Sequence, residues 1–269
     1  MIFYSQQAIK AFILLMFSGF IFMLHHTGEI DRFINPQYTS LSQVASIIFL
    51  FLFFIQVPRI FLTKEQAEDH DYCSILGCNH ETDDVKHIKG KSIITYSIIF
   101  LPLFTGFLLP YKELGAAEAV KRGICYSHNE GETFHLEERS EIELSHVIKE
   151  MKQSRVLTVD KKNFVSYVNS ILTYPDLFYG KEIELEGFIS VDKSASEDHL
   201  LIARFLVTHC VADAHVMGLL LSVEDERLQN ENDWIRMKGV LDINEQSTPI
   251  VEVREWEKVE QPKNPYIYP

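Results

Sequence analysis

Two stretches of this sequence concentrate side chains able to ligate a metal or attack an electrophile. Residues 64–91 read KEQAEDHDYCSILGCNHETDDVKHIKGK, with Cys73-x4-Cys78 followed two residues on by His80. Two thiolates and an imidazole suit zinc and its softer neighbours, at about 2.0–2.3 Å per bond. The spacing is looser than in structural zinc sites, which repeat a two-residue gap twice. The same residues also make an ordinary solvated polar loop. The second stretch is Thr208-His209-Cys210-Val211-Ala212-Asp213-Ala214-His215, in which His209, Cys210, Asp213 and His215 fall within seven residues. A turn between two strands brings Cys210, Asp213 and one histidine together, as a cation site or as a thiol beside a base. The competing account is structural, because cysteine is commonly buried and aspartate commonly closes a turn onto nearby N–H groups. Zinc is the cofactor these residues suggest. With no nucleophile elbow, P-loop, HExxH or CxxC, no catalytic or cofactor-binding residue is assigned.

The elements that carry these stretches differ sharply in composition. A mean hydropathy of -0.01 averages over two unlike parts. Residues 1–111 hold 7 Lys/Arg against 9 Asp/Glu, and residues 112–269 hold 18 against 29, so most of the net -13 lies in the second part. That acidity, with no Lys/Arg cluster among aromatics, excludes a nucleic-acid partner. The four cysteines, Cys73, Cys78, Cys125 and Cys210, are too few and too scattered for a disulfide-stapled secreted fold.

Residues 1–111 predict a transmembrane region of three helices, about 8–28, 38–57 and 92–111, with the polar Cys/His loop at 63–91. A bilayer core of about 30 Å needs roughly 20 apolar helical residues. Ala11 to Gly28 and Phe33 to Val57 carry no Asp, Glu, Lys or Arg, and SIITYSIIFLPLFTGFLLPY supplies the third run. A cleaved signal peptide is the alternative for the first run, but no small-x-small site follows Leu24. Pro102 removes one backbone bond and predicts a kink near Pro102–Gly106. Counting basic residues near the ends gives Lys10, Arg59, Lys64, Lys86, Lys89 and Lys91 on one side. Arg32, Lys112, Lys121 and Arg122 lie on the other. The bias predicts a multi-pass cell-membrane protein with a cytoplasmic N-terminus and, three spans being odd, an extracellular C-terminal domain.

Residues 112–150 read as a connector, 151–260 as an OB-like soluble domain, and 261–269 as a tail. Phe164, Val168, Ile171 and Leu172 fall on one helical face, with Asp160 as the candidate N-cap. Five strands follow: Lys181–Val191, Leu200–Cys210, Val216–Val223, Trp234–Asn244 and Pro249–Glu260. I-E-L-E-G-F-I at 183–189 is echoed by I-R-M-K-G-V-L at 235–241. A glycine at the same mid-strand place twice predicts a bulge or sharp bend, as a small barrel needs. The fold class is therefore a membrane α-helical N-terminal region plus a mainly β domain, an OB-like small barrel with one packed helix. A sandwich or an open sheet is the alternative.

Together these segments resemble the YcgQ-type membrane proteins of Gram-positive bacteria. The resemblance runs through LPLFTGFLLPYKEL, NFVSYVNSIL, YPDLFYGKEIELEGFIS, RFLVTHCVADAHVMGLLL and DWIRMKGVL. Where that family typically has Cys-Cys-Ala-Ala-Asp-Ala, this chain has His209-Cys210-Val211-Ala212-Asp213-Ala214, keeping Cys210 and Asp213 but not the vicinal cysteine pair. Relatives also carry a Cys- and His-bearing second loop. The resemblance implies an accessory subunit partnered with a membrane-embedded permease in the lipid bilayer; it does not fix the substrate, for which a metal or metalloid compound is the candidate. Three spans with no intramembrane charge pair or inverted repeat agree with a subunit rather than a self-sufficient transporter. Rival readings are a transition-metal, zinc-binding or zinc-sensing, membrane protein and a thiol-dependent enzyme.

Overall fold

Apolar runs without a charge form helices because the backbone bonds itself and nothing polar competes with it. A computed structural model describes residues 2–3, 5–62, 90–109, 112–126, 141–192, 199–223, 228 and 230–269. Helix α1 spans Ser5–Thr27, α2 Thr39–Gln56 and α3 Gly90–Leu108. Two segments among the described residues are long and apolar enough to cross a bilayer, Ser5–Thr27 and Pro36–Ile60; the shorter apolar run in α3 is Ile94–Leu108. The chain divides into two compact units, one of Met1–Asp31 and Pro36–Lys112, the other of Arg32–Asn35 and Glu113–Pro269.

In the first unit α1 is the common partner of α2 and α3. Ser18 and Ser46 exchange bonds across the α1–α2 seam, each hydroxyl donating to the other residue's carbonyl at 3.0 Å. Small residues with hydroxyls let apolar helices approach closely where no hydrophobic force acts between them. Phe17 lies tilted against Phe49 at 5.6 Å, and Phe20 meets Phe107 edge-on at 5.0 Å. Gly106 makes room for that last pair, since a Cβ there would lie 2.9 Å from the Phe20 ring. Pro102 is accommodated inside α3. The outer faces are apolar too: Leu41, Phe51, Ile98 and Leu108 are all more than three-fifths exposed. Ser46 is the buried residue of α2. At the end of this unit, β1 (Ile2–Phe3) pairs antiparallel with β2 (Phe61–Leu62).

Among the described residues the second unit is a mixed sheet with three α-helices. Its elements are α4 (Ala116–Arg122), β3 (Ile124–Cys125), α5 (Glu141–Gln153), β4 (Val156–Val159) and α6 (Phe164–Thr173). Then come β5 (Glu182–Asp192), β6 (His199–Leu206), β7 (His215–Ser222), β8 (Trp234–Ile243) and β9 (Pro249–Lys258). The order is β3-β7-β6-β5-β8-β9, with β4 against β5, and β9 returns to pair with β7. Every contact among the last five strands is antiparallel except β7–β9, where Leu220 faces Ile250 in parallel.

Alternation along these strands separates two apolar cores. On one side Ile183, Leu185, Ile189, Ile202, Met217 and Met237 bury against α6, whose Phe164, Val168, Ile171 and Leu172 are all buried. Each such side chain contributes about 1.5–3 kcal/mol on removal from water. On the other side Phe188, Phe205, Trp234 and Tyr266 pack with Ala116 and Ala119 of α4. Asp160 does not cap α6. It closes the preceding turn, its Oδ1 accepting the N–H groups of Lys162 at 2.7 Å and Asn163 at 3.0 Å, so the helix begins at Phe164 with Asn163 in the cap position. An aspartate reaching two residues ahead forms a turn more readily than it waits for a helix.

The three mid-strand glycines mark close strand crossings. A Cβ would fall 2.7 Å from the Ala203 carbonyl oxygen at Gly187, 2.5 Å from that of Ile202 at Gly218, and 2.4 Å from that of Glu252 at Gly239. The register slips between Lys238 and Gly239 against β9, which is the bulge expected there. At Gly187 the pairing with β8 stays in register, and the glycine instead lets β6 approach.

Candidate functional site

The 207–215 turn joins β6 to β7, and three separate sets of hydrogen bonds hold it. From within, Asp213 folds its carboxylate back: Oδ2 accepts the His209 N–H at 3.0 Å and Oδ1 the Cys210 N–H at 3.1 Å. The Asp213 N–H in turn donates to the Cys210 carbonyl at 3.0 Å, closing the short 3-10 turn Val211–Asp213. From the Arg32–Asn35 segment, Ile34 bridges Cys210 antiparallel, the Phe33 carbonyl accepts the Val211 N–H at 2.8 Å, and the Asn35 N–H donates to His209 at 2.9 Å. Buried Asn35 also donates its amide to the Thr208 carbonyl at 2.9 Å. From α4, Arg122 donates Nη1 to the Ala214 carbonyl at 2.8 Å and to that of Ala212 at 3.2 Å. A turn whose carbonyls and N–H groups are so fully engaged keeps its shape without a ligand.

The expected ligands are placed as follows. His209 is exposed, and its Nδ1 lies 3.0 Å from Asp213 Oδ2, so the carboxylate orients the ring and leaves Nε2 pointing away from that contact. Cys210 is a free, half-buried thiol. His215 begins β7, exposed, opposite Leu206. Among the described residues no three His, Cys, Asp or Glu side chains gather around one point. A metal at this turn would draw on His209 and Cys210, with Asp213 already bound to two backbone donors. Cys73, Cys78 and His80 lie outside the described residues.

Three contributors escaped the sequence reading. Asn35 and Arg122 serve the turn from remote parts of the chain, where only an Asn-Pro step and a lone arginine after a short apolar run marked them. The third is Arg204, a cation in mid-strand of β6 that is 4 % exposed.

Residues 9–125 match the DUF1980 N-terminal domain and residues 134–269 the DUF1980 C-terminal domain. The chain belongs to the DUF1980 family. Among its relatives, the UPF0703 protein YcgQ of Bacillus subtilis is 23% identical over 280 residues, covering 96% of this chain and 98% of the relative. A second relative, from Streptococcus mutans, is 25% identical over 272 residues, covering 91% of this chain and 93% of its own. That protein is named as a two-component membrane permease complex subunit. No solved structure matches the chain. The apolar α1 and α2 and the permease-subunit relative support membrane association for this DUF1980 protein.

Proposed function

We propose that this chain is a non-enzymatic accessory subunit of a membrane permease, held in the bilayer by α1, α2 and α3. The observation that carries the proposal is the apolar surface of the first unit. Leu41, Ile47, Phe51 and Phe54 of α2 and Ile94, Ile98, Leu101 and Leu108 of α3 remain exposed, apolar area of the kind that lipid or a partner helix covers. The relative named as a permease complex subunit supports a permease as that partner. Affinity purification of the full chain from gently solubilised membranes should recover a multi-spanning permease in fixed ratio. Repeated isolation of the chain alone would remove the proposal.

On this reading the second unit is an OB-like barrel outside the cell. The cyclic pairing β7-β6-β5-β8-β9-β7, with its single parallel contact, supports the closed form. Three spans and the basic-residue bias support the outer location. Protease added to intact cells should then cleave the second unit; protection until lysis would refute that orientation. Any metal or metalloid cargo would meet Cys73, Cys78 and His80, or His209, Cys210, Asp213 and His215. Zinc retained by the purified full chain should fall in Cys73→Ala or Cys210→Ala variants if these residues hold it.

A further inference from the structure

The edge of β6 that faces β5 changes partner along its length. β5 covers it from His199 to Ala203, where the ladder ends at the pair Phe188–Ala203. Arg204 bridges the next step with its side chain, Nη1 donating to the Glu186 carbonyl at 3.0 Å. Beyond Arg204, residues 264–268, part of the expected tail, lie along β6 as a strap. The Ile267 N–H donates to the Phe205 carbonyl at 2.8 Å, the Val207 N–H donates to the Ile267 carbonyl at 2.9 Å, and Leu206 and Ile267 form a parallel bridge. Two consecutive side chains of the strap enter the two cores. Tyr266, 1 % exposed, joins Phe188, Phe205 and Trp234 on the α4 side, its ring edge-on to Phe205 at 6.4 Å. Ile267, equally buried, joins Leu206 and Met217 on the α6 side. The Tyr266 hydroxyl accepts the Leu114 N–H at 3.3 Å, and Lys161 donates Nζ to the Asn264 carbonyl at 2.6 Å.

This is strand addition to a sheet edge, with main-chain bonds for affinity and alternate side chains for fit. The groove matches the segment seated in it, and every copy of the chain carries both. A strap from a second copy would make the same contacts, so only the connection back to β9 distinguishes the two arrangements. That connection is short. β9 ends at Lys258, the Val259 N–H is held by the Trp234 carbonyl at 2.9 Å, and residues 260–263 alone carry the chain to Asn264. Pro262 lies among them, with its φ fixed and no N–H to offer. A short, stiff hinge disfavours folding back onto the same copy and favours exchange. A vacated groove would expose apolar surface from both cores, so exchange has to be reciprocal.

We propose that the strap is exchanged between two copies of this chain, residues 264–268 of each pairing with β6 of the other in a two-fold dimer. The arrangement is closed. Each copy gives one strap and receives one, which leaves no groove for a third.

The test measures the mass of the full chain in detergent micelles, by light scattering with the detergent contribution subtracted, over a range of protein concentrations. The wild-type chain should form a dimer. A flexible Gly-Ser linker of about ten residues inserted between Gln261 and Pro262 keeps every contact and lets the strap reach its own groove; it should weaken the dimer at least about tenfold. Deleting residues 261–263 removes about 10 Å of reach and should give a dimer that no longer dissociates on dilution. A wild-type chain that is monomeric at every concentration overturns the proposal and leaves the groove to its own strap or to a strand of another protein. A dimer that the inserted linker leaves unchanged also overturns it, by assigning the contact to a different surface. If the deletion variant does not fold, the linker variant decides alone. Copies of this chain suffice for the measurement, so its outcome is independent of whether a permease co-purifies.

Discussion

Asp213 has an architectural duty at the turn it was singled out for. Its two oxygens take the N–H groups of His209 and Cys210, so Asp213→Ala leaves two donors without their acceptor. The expected cost is about 1–2 kcal/mol, read as a lowered melting temperature of the full chain. Cys210→Ala should cost less, since its main-chain bonds survive the change. A result in the opposite order would mean that the thiol, not the carboxylate, holds the turn. Sequence alone brought out His209, Cys210, Asp213 and His215, because ligand types crowded into a short span are visible locally. It could not bring out Asn35 or Arg122, whose partners are backbone carbonyls far along the chain and leave no pattern in residue type. Arg204 was hidden for a related reason: a single basic residue inside an apolar strand looks like an outward position until the pairing shows where it points.

The strands and α6 were legible because alternation and helical spacing directly encode which side chains are buried. The paired glycines were legible too, though they do different things. Gly239 sits at a register slip, and Gly187 sits where β6 crosses closely. At both, an added Cβ meets a backbone carbonyl, which cannot rotate away. Gly239→Ala and Gly187→Ala should each cost about 1–3 kcal/mol, by analogy with overpacked cores; melting temperatures within error of wild type would contradict the close approach. Helix α4 carried no comparable signal. It is seven residues long, and Ala116 and Ala119, fully buried, are too small to stand out as an apolar stripe. In the first unit the Ser18–Ser46 exchange should contribute about 0.6 kcal/mol per bond, measurable by a double-mutant cycle with Ser18→Ala and Ser46→Ala. A coupling energy of zero would make the seam a matter of shape alone.

At the scale of the molecule, the segment Arg32–Asn35 belongs to the second unit although its flanking residues belong to the first. The β-bridge from Ile34 to Cys210 and the bonds of Phe33 and Asn35 therefore complete the 207–215 turn with chain that is synthesised long before it. The two family segments, 9–125 and 134–269, do not respect this arrangement. A gene cut between them would make a head piece with a raw edge at Thr208–Val211, lacking α4 as well. Such a piece should be unstable or sticky by itself and regain solubility when the front piece is made in the same cell, a dependence that co-expression of the two halves would expose directly.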